Sequence, residues 1–268
     1  TIAPWYMGGQ WEIMVCGEGD DHAGTFCWMG QNYGNGPGDR NYTNEEWLAE
    51  ICSLNRDPNT GYVFRAGDRI RVTGTYLFYN GKLNINENHQ TDDLFDFEVE
   101  LVKPAVGLPQ PEPVRLSDLK DESDIDIFDP SRLTGGEYYQ ARLVRIEDVN
   151  VVDPENWGPG KTITIRDPTG RTLPVFLAFG AGLSRHPCPP GQVDAIGIFD
   201  QKALKTGYRL LVLNYDGNGL VLGDTGNPRG NLAGDIDNDY TVDFRDLAAL
   251  AENWLNRRAG LYHGDCSE

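Results

Sequence analysis

The residues with the most specific chemistry lie near the C-terminus, in Asp235-Ile236-Asp237-Asn238-Asp239-Tyr240-Thr241-Val242-Asp243-Phe244-Arg245-Asp246. Counted from Asp235, carboxylates fall at positions 1, 3, 5, 9 and 12. A calcium ion takes about six to eight oxygens, and a twelve-residue loop can supply them from those positions plus a backbone carbonyl at the seventh. Asp235, Asp237, Asp239, Asp243 and Asp246 are therefore candidate side-chain ligands of Ca2+, and Thr241 is the candidate carbonyl donor. Tyr240 stands at the sixth position, where the sharp turn favours glycine. Asp246 opens a segment in which Leu247, Leu250, Ala251 and Trp254 share one helical face.

Other reactive residues are scattered. His22, His89, His186 and His263 have no metal-binding spacing, and neither a nucleophile elbow nor a phosphate-cradling loop occurs. The expectation is a protein without catalytic residues. Cys16, Cys27, Cys52, Cys188 and Cys266 form no CxxC pair, which argues against a zinc site. In an oxidising compartment two disulfides and one leftover thiol are expected, with Cys16–Cys27 as one bridge and Cys266 as the odd residue. Acid-rich turns at 17–21 and 121–126 read as solvated loops, and Asn41-Tyr42-Thr43 is a glycosylation sequon.

The chain has 268 residues and a net charge of −18, from 23 Lys+Arg against 41 Asp+Glu. Such a balance disfavours nucleic acid as the main partner, because phosphate contacts need clustered cations. It suits divalent cations and leaves neutral glycans open. Aromatic residues make up 10% of the chain, too many for a disordered acidic protein. No apolar run is long enough to span a membrane. The opening Thr1-Ile2-Ala3-Pro4-Trp5 reads as a mature N-terminus left by processing, hence an extracellular or cell-surface setting.

The 32 glycines and 16 prolines point to short strands and tight turns. Residues 1–7 form an apolar segment, a candidate docking strand. Residues 8–102 and 114–222 each offer about five short strands, the number in a small Greek-key barrel. Arg69-Ile70-Arg71-Val72 alternates with period two, and Asp167-Pro168-Thr169-Gly170 and Tyr79-Asn80-Gly81-Lys82 are hairpin turns. Tyr138 and Tyr139 open the first strand of the second set. Thr43-Asn44-Glu45-Glu46 has capping-box spacing and starts a helix inside the first. The Pro-rich stretch 103–113 reads as a linker, and 223–268 as a calcium-binding tail. The fold expected is mainly β, with two tandem barrels and a short C-terminal loop–helix segment.

Two resemblances sharpen this reading. Gly67-Asp68-Arg69-Ile70-Arg71-Val72-Thr73-Gly74, together with the runs 138–149 and 162–172, resembles the tandem OB-like modules of secreted bacterial proteins. The segment from Gly234 to Leu255 resembles a dockerin-type, EF-hand-like calcium repeat, although one repeat is present where a cohesin-binding dockerin normally carries two. The expected function is an extracellular calcium-binding structural protein that self-associates into a surface or fibrous assembly, or joins an extracellular protein partner. One alternative is a non-catalytic OB module that stacks glycan or single-stranded nucleic acid on Tyr76, Phe78, Tyr138 and Tyr139, with Tyr79 and Tyr208 nearby in the same set. Another is a dockerin-like adaptor for a larger extracellular complex.

Overall fold

A computed structural model describes residues 2–6, 10–17, 24–31, 42–79, 81–87, 97–203 and 206–222. The fold is mainly β. Strands β1 (Ile2–Tyr6), β2 (Gln10–Cys16) and β3 (Gly24–Gly30) form an antiparallel run. Helix α1 (Asn44–Leu54) follows, with the expected capping box: Thr43 accepts from the Glu46 amide, and the Glu46 carboxylate accepts from the Thr43 amide. The helix buries Trp47 and Leu54 against Trp11, Ile13, Cys27, Met29 and Val99.

The chain then makes β4 (Arg69–Thr73) and β5 (Thr75–Tyr79), with Gly74 between them. A Cβ at Gly74 would lie 2.6 Å from the Phe97 ring, so the close approach requires glycine. Next come β6 (Lys82–Asn86) and β7 (Glu98–Lys103). β5 and β6 form the hairpin foreseen at Tyr79–Lys82, with Gly81 at φ +84°. The N-terminal sheet has the order β1-β2-β3-β6-β5, with β3 and β6 parallel, while β4 and β7 pair separately.

The stretch after β7 is anchored along its length. The Asp68 carboxylate accepts from the amides of Arg65 and Ala105, and the Gly107 amide donates to the Gly67 carbonyl. The stretch ends in a two-residue strand, β8 (Glu112–Pro113), where proline is tolerated because it occupies a sheet edge. Two short helices follow, α2 (Leu116–Leu119) and α3 (Gly136–Tyr139). Tyr138 and Tyr139 thus lie in a helix. The strand expected from 138 begins only at Leu143, because Tyr139 packs down onto Phe199 of the barrel instead of extending the sheet.

The second half contains β9 (Leu143–Val151), β10 (Thr162–Arg166), β11 (Thr172–Leu177), helix α4 (Gly182–Arg185), β12 (Val193–Ala203) and β13 (Gly207–Val212). Two short strands, β14 (Asn214–Tyr215) and β15 (Leu220–Val221), extend it beyond β12. Pairing runs β9-β10-β11-β13-β12 and returns from β12 to β9, which closes a five-stranded barrel. The β11–β13 pair is parallel, and this order is compatible with an OB-fold. The Asp167–Gly170 turn joins β10 to β11, its Asp167 carboxylate accepting from the amides of Thr169 and Arg171.

Alternation sets the barrel core: Ile163 and Ile165 face Val175 and Leu173, while Thr164 and Pro174 point out. Each such apolar side chain contributes roughly 1.5–3 kcal/mol by leaving water. β12 and β13 depart from the pattern. Inward-facing Ala195, Phe199, Leu210 and Val212 alternate with Ile196, Ile198, Leu211 and Leu213, and these join a second apolar cluster outside the barrel. Met14 and Phe26 of the N-terminal sheet complete that cluster, so the sheet lies on the barrel's outer wall.

Candidate functional site

The structure divides the aromatic set proposed from sequence. Tyr139 and Tyr208 are buried in the barrel core. Tyr208 donates to the Glu137 carboxylate at 3.0 Å, and burial beside that acid raises its phenol above the ordinary range. Tyr138 packs edge-on against Tyr139 and holds the Arg142 guanidinium 4.8 Å from its ring centre. Tyr139 and Tyr208 are thus core residues, and Tyr138 is half-buried against that core.

Tyr76 and Phe78 are different. They are 69% and 62% exposed and alternate along β5, opposite Ile85 and Leu83 of β6. Leu83 is itself 43% exposed, and Tyr79 at the strand end is also open. Among the described residues β5 pairs only with β6, which puts it at an edge of the sheet beside exposed rings. β1 is the opposite edge of the same sheet, which places residues 2–6 as a strand paired with β2 of their own chain.

The hairpin's other face enters the contact between sheet and barrel. Lys82 donates to Asp200 at 2.7 Å, and Arg209 Nε donates to the other Asp200 oxygen at 2.7 Å. Asp200 is wholly buried. The Lys82 ammonium also sits 4.5 Å from the Phe26 ring centre. Gly81 abuts the Gln201 side chain, and its carbonyl accepts from Gln140 at 3.1 Å. Glu12 of β2 lies within the same charged group. Burial raises its carboxyl from 4.5 to about 7, against the pull of Lys82 and with a push from Asp200.

A scan against protein-family models finds no match, and searches of curated proteins and of solved structures find none either. Function must therefore be argued from these residues.

The calcium set of Asp235, Asp237, Asp239, Thr241, Asp243 and Asp246 lies outside the described residues. Among the described residues no cluster of His, Cys, Asp and Glu could hold a metal. In the acid-rich turn at 121–126, Asp121 accepts from the amides of Ser123 and Ile125, Asp124 accepts from Thr172, and Asp124 and Asp126 both pair with Lys120. No described helix is long and apolar enough to cross a membrane.

The expected Cys16–Cys27 bridge is overturned, since both are free thiols. Their strands are neighbours, but Cys27 stands opposite Ile13 and packs with it in the helix-side core. Cys16 stands opposite Gly24 and reaches the Ala141 carbonyl on the barrel side. The two thiols point to opposite faces of one sheet, beyond disulfide geometry. Cys52 is disulfide-bonded and Cys188 is free, while Cys266 falls outside the described residues.

Sequence reasoning missed β5 as an edge and the ionic contact between the two halves. A signal for the second was present. Ala195-Ile196-Gly197-Ile198-Phe199 and Leu210-Leu211-Val212-Leu213 are continuous apolar runs, the mark of strands covered on both faces.

Proposed function

We propose that this chain is an extracellular calcium-binding structural protein, built from two OB-like units and a dockerin-like calcium tail, which assembles with copies of itself. The observation that carries the assembly reading is the pair of sheet edges, β1 and β5, left open among the described residues. Following the pairings across the sheet, β1 runs opposite to β5. A second copy translated along the sheet would therefore bring its β1 antiparallel to the first copy's β5, with Tyr76 and Phe78 beside the joint. Such a contact is heterologous and does not close on itself, so repetition gives a fibre. Calcium at Asp235–Asp246 would order the tail in a calcium-rich setting.

Particle size of one sample, by light scattering and negative-stain microscopy, tests this with calcium and then with excess chelator. Regular assemblies that shrink on chelation are expected. A calcium-free monomer that stays monomeric when calcium returns would sink the reading.

A paired experiment isolates the edge. Tyr76→Lys with Phe78→Lys should leave folding stability within about 0.5 kcal/mol, because both side chains are exposed. The same change should abolish assembly by placing charge on the edge. The exposed ring pair also favours a second reading, glycan stacking on Tyr76 and Phe78. A protein that is monomeric throughout, yet is retained on a glycan array and released by the lysine pair, would select that reading.

A further inference from the structure

Helix α1 covers only part of one side of the N-terminal sheet. Trp47 and Leu54 pack with Ile13 of β2 and with Cys27 and Met29 of β3, and Ile85 of β6 joins the same core. Tyr76 stands opposite Ile85 and Phe78 opposite Leu83, and directly opposed residues of an antiparallel pair share a face. Tyr76, Phe78 and Leu83 therefore continue the side that α1 covers, as an exposed apolar ledge along the sheet edge. The cysteines say what returns to this side. Of the five, Cys16, Cys27 and Cys188 are free, whereas Cys52 on α1 is disulfide-bonded. The count leaves Cys266, which lies outside the described residues, to complete that bridge within the chain.

We propose that the chain's own tail folds back onto this ledge: a Cys52–Cys266 bridge returns the C-terminus to α1, and Leu247, Leu250 and Trp254 cover Tyr76, Phe78 and Leu83. The inference rests on reading the tail as a calcium loop followed by a helix, and it does not need self-assembly. An apolar stripe on a short helix has to be covered by something, and the ledge is an apolar surface of matching size. From Leu247 to Trp254 a helix rises about 10 Å. Tyr76 and Phe78 are about 7 Å apart along β5, before the width of their rings is added. β5 lies two strands, about 10 Å, from β3. Cys266 follows Leu255 by eleven positions, a reach of up to about 36–40 Å, so the bridge and the docked helix are compatible. The bridge forms by thiol–disulfide exchange: the two cysteine sulfurs join, and a small disulfide takes their protons and electrons and leaves as two thiols.

Non-reducing digestion of the monomeric full chain, followed by mass spectrometry, should recover one peptide pair joining Cys52 to Cys266. Recovery of free Cys266, or of Cys52 joined to another cysteine, would overturn the proposal. Hydroxyl-radical footprinting of the same monomer in calcium reads the docking. Tyr76 and Phe78 should oxidise severalfold more slowly than in the double variant Leu250→Asp with Trp254→Asp, in which the bridge stays intact. Equal oxidation of the rings in the two proteins would refute the docking. So would protection confined to assembled particles, which would make a second copy the cover. Should the double variant fail to fold, Cys266→Ser gives the second comparison, with Cys52 then a free thiol and the rings oxidised severalfold faster than in the parent. Excess chelator separates this proposal from the calcium reading of the tail. Protection that survives chelation but fails in the double variant supports the docking and counts against calcium, whereas protection lost on chelation with the bridge intact supports both.

Discussion

Replacing Asp200 with alanine should destabilise the protein by about 3 kcal/mol, measured by denaturant unfolding at pH 7. Asp200 is the wholly buried acid that holds Lys82 and Arg209 together, and its removal leaves both cations in the contact without it. Removing one member of a buried ion pair typically costs about 3–5 kcal/mol. The low end applies because Lys82 and Arg209 retain 14% and 29% exposure and can shift toward water. The same variant makes a second, sharper prediction. With Asp200 gone, Glu12 becomes the acid available to both cations, and its repulsion from Asp200 disappears. Its carboxyl should fall below about 7, while burial, the largest cause of its rise, still holds it above the ordinary 4.5, and the pH dependence of stability should move the same way. A variant as stable as the parent, with an unmoved pH response, would show that the four charges do not act as one group.

Phe199→Ala should cost more, about 3–5 kcal/mol, the usual range for deleting a fully buried aromatic ring. Phe199 is completely buried, 5.2 Å from the Tyr208 ring centre and 6.4 Å from that of Tyr139. Its backbone is equally committed, its amide donating to the Arg142 carbonyl and its carbonyl accepting from the Ala141 amide. The cavity would open where β12, β13 and α3 meet, and α3 has only four residues with which to collapse into it. Thermal and denaturant unfolding both report the loss. Against a total stability of about 5–15 kcal/mol, it is a change large enough to leave the barrel partly unfolded at physiological temperature.

Several elements could be read directly from residue order. The capping box at Thr43 and Glu46, the turns at Asp167–Gly170 and Tyr79–Lys82, and most of the strands rest on local rules, and they appear where those rules place them. Mainly β content followed for the same reason. What local rules could not supply was partnership across the chain. Tyr138 and Tyr139 have strand-forming side chains, yet the pull of Phe199 and Arg142 turns them into a helix. The Pro-rich stretch reads as a linker, but residue order does not show that Asp68, Gly67 and Val144 hold it from distant positions.

The candidate site shows the same division. Exposed Tyr76 and Phe78 were named among the ring residues, but only the pairing of β5 and β6 separates them from buried Tyr139 and Tyr208. Glu12, Lys82, Asp200 and Arg209 are spread over almost two hundred positions of sequence. No spacing rule unites them.

The way one half covers the other also has a bearing on biosynthesis. Met14 and Phe26 emerge from the ribosome early, but their cover includes Leu211 and Leu222. At roughly 5–20 residues per second, some 10–40 s pass before that cover exists. During that interval the nascent sheet must keep its unfinished face from other chains. Gln10, Glu12, Lys82 and Asn84, which share that face, remain hydrated until then. The residues that join the halves in the finished protein would thus also protect the first half while it waits for the second.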